Sequence, residues 1–384
     1  MKLKGLNIGG WLLMEGYILG GRNLAESVFK EKFQKKYGKK ALGNFVSLFR
    51  DNFIDEEDFK NISSMGAQCI RLPFNYSLLE KKPFSYSEQG FSYLKKVFGW
   101  ARAYNIGVIL DLHAAPGSQN CDWHSDSRGR ALFWEKQRYR QRAILLWEAI
   151  ASRFKTETAL IGYDILNEPV LGRRSTDILK RFYRDVIRQI RSIDKKRLIF
   201  LEGDMWAQRI EFLKELVGTN ICVSIHAYQP LNYTLNFSPF YKFPGEIDGL
   251  VWDKERIRRT LEPYFRFSSK HKVKIFVGEF GINWRGGCWG ESQWLQDVLE
   301  LFEEFNFSYT YWTYKAIANS VFPDGIYQYI HNSPYINREG PFFGWETYLG
   351  RWKNERRKIG EFWQTKNFVP NKKIIGILKK YFRT

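Results

Sequence analysis

The sequence predicts a closed parallel (β/α)8 barrel, and three observations carry that expectation. Eight apolar, strand-like runs recur at 6–12, 67–73, 106–112, 160–166, 197–202, 221–226, 273–279 and 307–314. Amphipathic or charged stretches suited to helices separate them, around 55–65, 88–104, 133–154, 175–193, 207–217, 254–271 and 289–306. Two of the runs end in a lone carboxylate, in Ile-Leu-Asn-Glu-Pro at 165–169 and Val-Gly-Glu-Phe-Gly at 277–281. Short apolar runs bounded by Gly or Pro read as buried parallel strands, and strands alternating with helices over eight repeats are the pattern of a closed barrel. A doubly wound open sheet is the alternative. It is disfavoured because no Gly-x-Gly-x-x-Gly follows the first run and eight repeats exceed its usual size.

Taken in order, six of the eight runs end in side chains with chemical use. The first is followed by a long insertion, 14–54. The second ends Cys-Ile-Arg-Leu-Pro, the third Leu-Asp-Leu-His and the fourth Leu-Asn-Glu. The sixth ends Ser-Ile-His-Ala-Tyr and opens a second insertion at 227–253. The seventh ends Val-Gly-Glu, and the eighth reads Thr-Tyr-Trp-Thr-Tyr. Barrel enzymes build their sites where the strands end, so Arg71, His113, Asn167, Glu168, His226, Tyr228, Glu279 and Trp312 are expected around one mouth. The final stretch, about 345–384, carries Trp345, Trp352, Phe362 and Trp363 and reads as helices wrapping back onto the barrel. With no Pro/Gly/Ser linker, no longer repeat and no low-complexity tract, residues 1–384 are expected to form a single domain.

Composition narrows the class. Hydrophobic residues make up 44% and charged residues 26%, an ordinary balance for a globular protein, while the 17% aromatic share is high. No apolar run is long enough for a membrane span, and the start Met-Lys-Leu-Lys-Gly lacks the apolar core of a leader peptide. A cytoplasmic location is the expectation, or secretion where a leader has been trimmed. The net charge of +19 is read as a solvated basic surface rather than a nucleic-acid site, because no Lys/Arg run accompanies a nucleic-acid motif. Cys69 and Cys222 fall in strands as core residues. Cys121 and Cys288 fall in loops on one face, where a disulfide is conceivable, although four scattered cysteines suit a reducing compartment. His113, Cys121 and His124 do not have the spacing of a zinc site, and no metal or cofactor is expected. The protein is expected to be a monomer acting on an oligosaccharide or polysaccharide.

The reason for a saccharide is the pair of glutamates. A carboxylate at the end of a buried strand is costly unless used, and glycoside hydrolysis uses two: one acid to protonate the leaving oxygen and one carboxylate to attack or activate water. Together with Arg71, His113, His226, Tyr228 and Trp312, the Asn-Glu-Pro and Val-Gly-Glu strings resemble the retaining glycoside hydrolases of family 5. The opening Gly-Leu-Asn-Ile-Gly-Gly-Trp-Leu and the Leu-His-Ala-Ala-Pro-Gly-Ser-Gln-Asn after strand 3 look like the branch containing exo-β-1,3-glucanases. This resemblance spans residues 3 to 345. Two segments depart from the branch: Met-Glu-Gly-Tyr-Ile-Leu-Gly-Gly lacks its usual Pro-Trp-Ile, and the aromatic loop 229–252 matches no specificity.

The resemblance implies a retaining β-glycosidase acting on β-glucans or gluco-oligosaccharides, with an endo-β-1,4-glucanase or β-mannanase as the alternative within the family. A non-catalytic carbohydrate-binding or anionic-polymer-binding protein is the alternative of another class. Glu168 would be the acid/base, with a raised pKa, and Glu279 the nucleophile, kept ionised by Arg71 and Tyr228. Asn167 would bond the sugar 2-hydroxyl, His113 and His226 would orient hydroxyls or neighbouring acids, and Trp312 would form a flat floor. Trp123 and His124, with Asp122, would shape the cleft. Retention predicts carboxyl groups roughly 5–5.5 Å apart.

Overall fold

The computed structural model describes residues 2–317, 321–329 and 344–383. The barrel strands are β1 (Lys4–Asn7), β2 (Cys69–Asn75), β3 (Gly107–Ala114), β4 (Leu160–Asp164), β5 (Leu198–Glu202), β6 (Ile221–His226), β7 (Lys274–Phe280) and β8 (Ser308–Tyr311). They close in sequence order, every neighbour parallel and β8 pairing back onto β1. The longer helices are α1 (Glu26–Phe53), α2 (Glu56–Ser64), α3 (Glu88–Ala103), α4 (Gln137–Phe154), α5 (Asp177–Ile193), α6 (Lys254–His271), α7 (Glu291–Glu304), α8 (Gly344–Phe362) and α9 (Lys372–Phe382).

The period-2 alternation of a strand sorts each run into two faces. Ile70, Leu72, Val108, Leu110, Ile199, Leu201, Val223, Ile225, Ile275 and Val277 join the large core shared with the helices. The intervening residues Cys69, Ile109, Phe200, Cys222 and Phe276 form a separate small cluster with Leu3. This is an apolar layer filling the barrel bore, and it confirms Cys69 and Cys222 as core. One step further along the same faces the bore turns polar, with Arg71, Asp111, Asp164, Glu202 and Ser224 all buried.

Several expected boundaries shift for identifiable reasons. The first run stops pairing at Asn7, because Gly9 and Gly10 (φ 73°) turn the chain. The insertion 14–54 is mostly helix: α1 runs through it, interrupted at Gly38 (φ 85°). The stretch 207–217 is not a helix. It holds a 3-10 turn at Glu211–Glu215, preceded by left-handed residues at 205–207 that cannot propagate an α-helix. The stretch 133–154 splits at the extended Lys136. Cys121 and Cys288 are both free and exposed, so the conceivable disulfide does not form.

The C-terminal helices wrap back as expected, onto α1. Phe29, Phe33, Phe45 and Phe49 recur at four-residue steps on α1 and meet the rings of Trp345, Tyr348, Trp352 and Trp363 at 4.4 to 6.4 Å. Lys315, fully buried, pins this layer by donating to Phe53 O (2.6 Å), Trp363 O (2.6 Å) and Thr365 Oγ1 (2.8 Å). No described helix is long and apolar enough to cross a membrane.

Lys315→Met keeps the aliphatic stem but leaves two buried carbonyls unpaired. Unmade buried hydrogen bonds cost about 1–3 kcal/mol each, so urea unfolding is expected to show a loss of roughly 2–5 kcal/mol. A loss below about 1 kcal/mol would show that this contact does not hold the C-terminal layer.

Candidate active site

Two local irregularities aim the glutamates into the mouth. Strict alternation on β7 would put Glu279 on the outer face beside Val277. The pairing register with β6 slips between Val277 and Glu279, a bulge that turns Glu279 inward. Gly278 is required at the bulge, since a Cβ there would lie 2.8 Å from Ser224 Oγ and 3.2 Å from His226 Nε2. Glu168 follows β4 with φ 47°, a left-handed conformation uncommon outside glycine. Its N–H donates to Glu202 Oε2 (2.6 Å), and its carbonyl accepts from Asn120 Nδ2 (2.9 Å).

At the base of the site lies Arg71, fully buried. Its Nε donates to Asp164 Oδ2 (2.8 Å), Nη1 to Glu279 Oε1 (2.8 Å) and Asn7 Oδ1 (3.2 Å), and Nη2 to Asn167 Oδ1 (2.8 Å) and Glu202 Oε1 (3.0 Å). Asp111 Oδ2 is 3.1 Å away. Glu279's other oxygen accepts from Tyr228 Oη at 2.9 Å. Both lone partners expected for this carboxylate are therefore in contact with it.

A second chain of bonds orients Asn167. Burial, with Arg71 and His124 nearby, lowers the His113 pKa to about 3, so the ring is neutral. Its Nδ1–H donates to Asp111 Oδ2 (2.7 Å), which leaves Nε2 to accept from Asn167 Nδ2 (3.4 Å). Arg71 fixes the amide oxygen, so the second amide N–H is the group free to meet a sugar hydroxyl. Trp312 stacks on His113 at 5.4 Å and 16°, and its Nε1 donates to Tyr17 Oη (2.6 Å). His113 thus contacts Asn167, Trp312 and the Asp111 carboxylate rather than either glutamate.

Glu168 lies between two histidines. His226 Nδ1 is 2.7 Å from its Oε1, and His124 Nε2 is 3.4 Å from its Oε2. Burial alone would raise the Glu168 pKa, but the His226 hydrogen bond and the imidazolium charges lower it to about 2. This reverses the expected raised value. Burial pulls His226 down, yet Glu279, Glu202 and Glu168 around it hold it well above 6.5. In the free site the shared proton rests on His226. One atom each of Glu168, His226 and Glu279 lie within 4.8 Å of one another. That spacing would also suit a metal ion, though Arg71, Tyr228 and His226 already bond the glutamate oxygens. His113, Cys121 and His124 form no such cluster among the described residues.

The eight strand-end side chains named from the sequence therefore converge on one mouth. Six of them, His113, Glu168, His226, Tyr228, Glu279 and Trp312, line a cavity of about 460 Å³ with Trp123 and His124 from the loop after β3, while Arg71 and Asn167 are buried and bonded to that lining. Five further residues went unnamed: Asn7, Asp111, Asp164, Glu202 and Glu15. Glu202 ends its strand as Glu279 does, and that was the available signal. Glu15 sits in the segment that departs from the exo-glucanase pattern. It is buried, lines the cavity, and its Oε1 makes no hydrogen bond.

An (β/α)8 barrel with two glutamates this close, one held by arginine and tyrosine, defines a glycoside hydrolase. The family model of cellulases (glycosyl hydrolase family 5) matches residues 34–317, and the chain belongs to that family. It is 29% identical over 349 residues to a β-xylosidase of Phanerodontia chrysosporium, covering 87% of this chain and 70% of that protein. It is 30% identical over 372 residues to a probable glucan 1,3-beta-glucosidase A of Emericella nidulans (85% and 91%) and 25% identical over 321 residues to endoglucanase C of Acetivibrio thermocellus (73% and 92%). The endoglucanase Cel5A of Thermotoga maritima shares the fold, with a TM-score of 0.60 at 22% identity over 81% of this chain and 89% of that one.

Burial raises the Glu15 pKa to about 8, with Glu279 and Glu168 adding to the effect and His124 opposing it. A raised folded-state value means this group's stability contribution is full below the ordinary carboxylate range and is lost as pH rises through about 8. Glu15→Gln removes the titration. Between pH 5 and pH 9 the melting temperature of the variant is expected to gain on that of the parent. Parallel pH profiles for the two proteins would contradict the buried, protonated Glu15.

Proposed function

We propose that this protein is a retaining, exo-acting β-glucosidase in which Glu279 is the nucleophile and Glu168 the acid/base. The observation that carries the reading is the 4.8 Å grouping of both glutamates with His226. Retaining enzymes hold their carboxyl groups about 5–5.5 Å apart, whereas inverting enzymes need roughly 6.5–9.5 Å to admit a water.

In the first step Glu279 attacks the anomeric carbon. His226 passes its proton to Glu168 across their 2.7 Å contact, and the glycosidic oxygen departs with it, leaving Glu168 ionised. Arg71 and Tyr228 hold and orient the Glu279 carboxylate until attack, when its charge is consumed in the ester. In the second step Glu168 takes a proton from water as that water displaces Glu279, restoring the configuration. The free amide N–H of Asn167 would bond the 2-hydroxyl, and Trp312 would lie under the ring.

Exo action is supported by the wall on the Trp312 side. Phe322 contacts Tyr17 at 4.9 Å, Trp123 at 5.3 Å and Phe237 at 5.5 Å, a row of rings that shuts one end of the pocket. Near it, Glu15 Oε1 and Trp123 Nε1 have no hydrogen-bond partner among the described residues, and both suit hydroxyls of a terminal sugar.

General acid and base catalysis alone contributes about 10²–10⁴, so Glu168→Gln and Glu279→Gln should each lose at least a hundredfold. With an activated aryl glycoside, Glu168→Ala should be rescued by azide to give a β-glycosyl azide; an α-azide from this variant would reverse the two roles. On β-1,3-glucan, glucose should appear while viscosity holds steady. A rapid fall in viscosity with few new ends would show endo attack.

A further inference from the structure

Chemistry around the mouth is divided by strand. The loops and ends of β8, β1 and β3 bring Trp312, Glu15, Tyr17, His113 and His124, the polar surface a sugar needs. On the far side of Glu168, the loops after β5 and β6 bring Met205, Trp206, Leu231 and Leu235. Met205 and Trp206 are 37% and 40% exposed, and Leu231 is 44% exposed. Of the ten large hydrophobic side chains exposed among the described residues, seven lie in these two loops, and four of those, Met205, Trp206, Leu231 and Phe237, line the cavity. Apolar exposure concentrated beside a cavity marks a binding surface rather than scattered surface chance.

Backbone strain is spent on presenting part of it. Met205, Trp206 and Ala207 have φ of 56°, 55° and 64°, three consecutive non-glycine residues in the left-handed region. Such residues persist only where surrounding contacts over-determine them. Here Asp204 and Arg209 exchange backbone hydrogen bonds at 3.0 and 2.9 Å, and Trp206 Nε1 donates to Asp122 Oδ2 at 2.8 Å. An ordinary helix at this point would carry Met205 and Trp206 elsewhere.

Resting on the glycosidase reading above, we infer that this half of the mouth receives an apolar leaving group, so that β-glucosides of alkyl or aryl alcohols are turned over in preference to glucan chains. A second sugar would need hydrogen-bond partners around its ring. The polar side chains lining this side are Gln208, Tyr228, Gln229 and, against Trp206, Asp122; Gln208 is engaged with His226 O and Tyr264 Oη, Tyr228 with Glu279 and Asp122 with Trp206 Nε1. Leucine and methionine give an alkyl or aryl group contact without stranding hydroxyls. Glu168 stands at the boundary of the two halves, where the leaving oxygen must be protonated.

The test compares kcat/KM for methyl, butyl and hexyl β-D-glucosides with laminaribiose and cellobiose, after confirming turnover of 4-nitrophenyl β-D-glucoside. Rising buried apolar area with chain length should raise kcat/KM at least tenfold from methyl to hexyl, with hexyl above both disaccharides. Leu231→Asn and Trp206→Ala, both surface changes, should flatten that dependence. Turnover of the nitrophenyl glucoside with a flat series, or a clear preference for either disaccharide, would overturn the inference alone. No turnover of the nitrophenyl glucoside would end the glucosidase reading and this inference together.

Discussion

The whole mouth of the barrel is organised around one buried guanidinium. Arg71 contacts four carboxylates, Asp111, Asp164, Glu202 and Glu279, and two asparagine side chains. A planar fork of five donors can serve partners in several directions at once, which a lysine ammonium cannot. Four buried acids for one cation leave negative charge uncompensated, and removing a partner from such a group typically costs about 3–5 kcal/mol. The surplus is absorbed by protonation. Burial raises Asp111 to about 6 and moves Asp164 well above its ordinary value, although Arg71 opposes both shifts.

That rigid layer is what lets the two reactive groups sit in irregular backbone. Glu279 owes its direction to a slipped register on β7, and Glu168 its direction to a left-handed residue beyond β4. Both departures are held by the layer beneath: Arg71 bonds the Glu279 carboxylate, and Glu202 accepts from the Glu168 backbone N–H. Regular strands supply the register, and local breaks in regularity supply the aim.

This division explains what the sequence revealed. The barrel was legible because buried parallel strands are short apolar runs and the helices between them are amphipathic. Strand-end side chains were legible because a polar residue there contradicts its surroundings. What could not be read was the ranking among the acids. Glu202 closes β5 much as Glu279 closes β7, yet one accepts from the backbone below the site while the other faces the cavity. Only the closing of the barrel around Arg71 separates them. The Glu168 protonation state was misjudged for a related reason: burial raises a carboxyl pKa, but two histidines from β6 and the loop after β3 outweigh burial here. Helix α1 escaped notice because Gly38 and a run of lysines interrupt the phenylalanine spacing that packs it.

Proton placement follows from the same contacts. Two carboxyls face the cavity with opposite pKa shifts, Glu15 raised to about 8 and Glu168 lowered to about 2. The protonated one looks at first like the better acid. Yet Glu15 Oε1 makes no hydrogen bond among the described residues through which a proton could be resupplied, whereas Glu168 has an imidazolium 2.7 Å away. Negative charge on Glu168 is stable only while His226 keeps its proton, and His226 keeps it largely because Glu279 and Glu202 are negative. Attack by Glu279 consumes one of those charges. The Coulomb attraction that held the proton on His226 weakens at that moment, and the balance moves toward protonated Glu168 when the leaving oxygen needs it. Nucleophile and acid are coupled through the imidazole between them, so the low resting pKa of Glu168 fits its role as the acid.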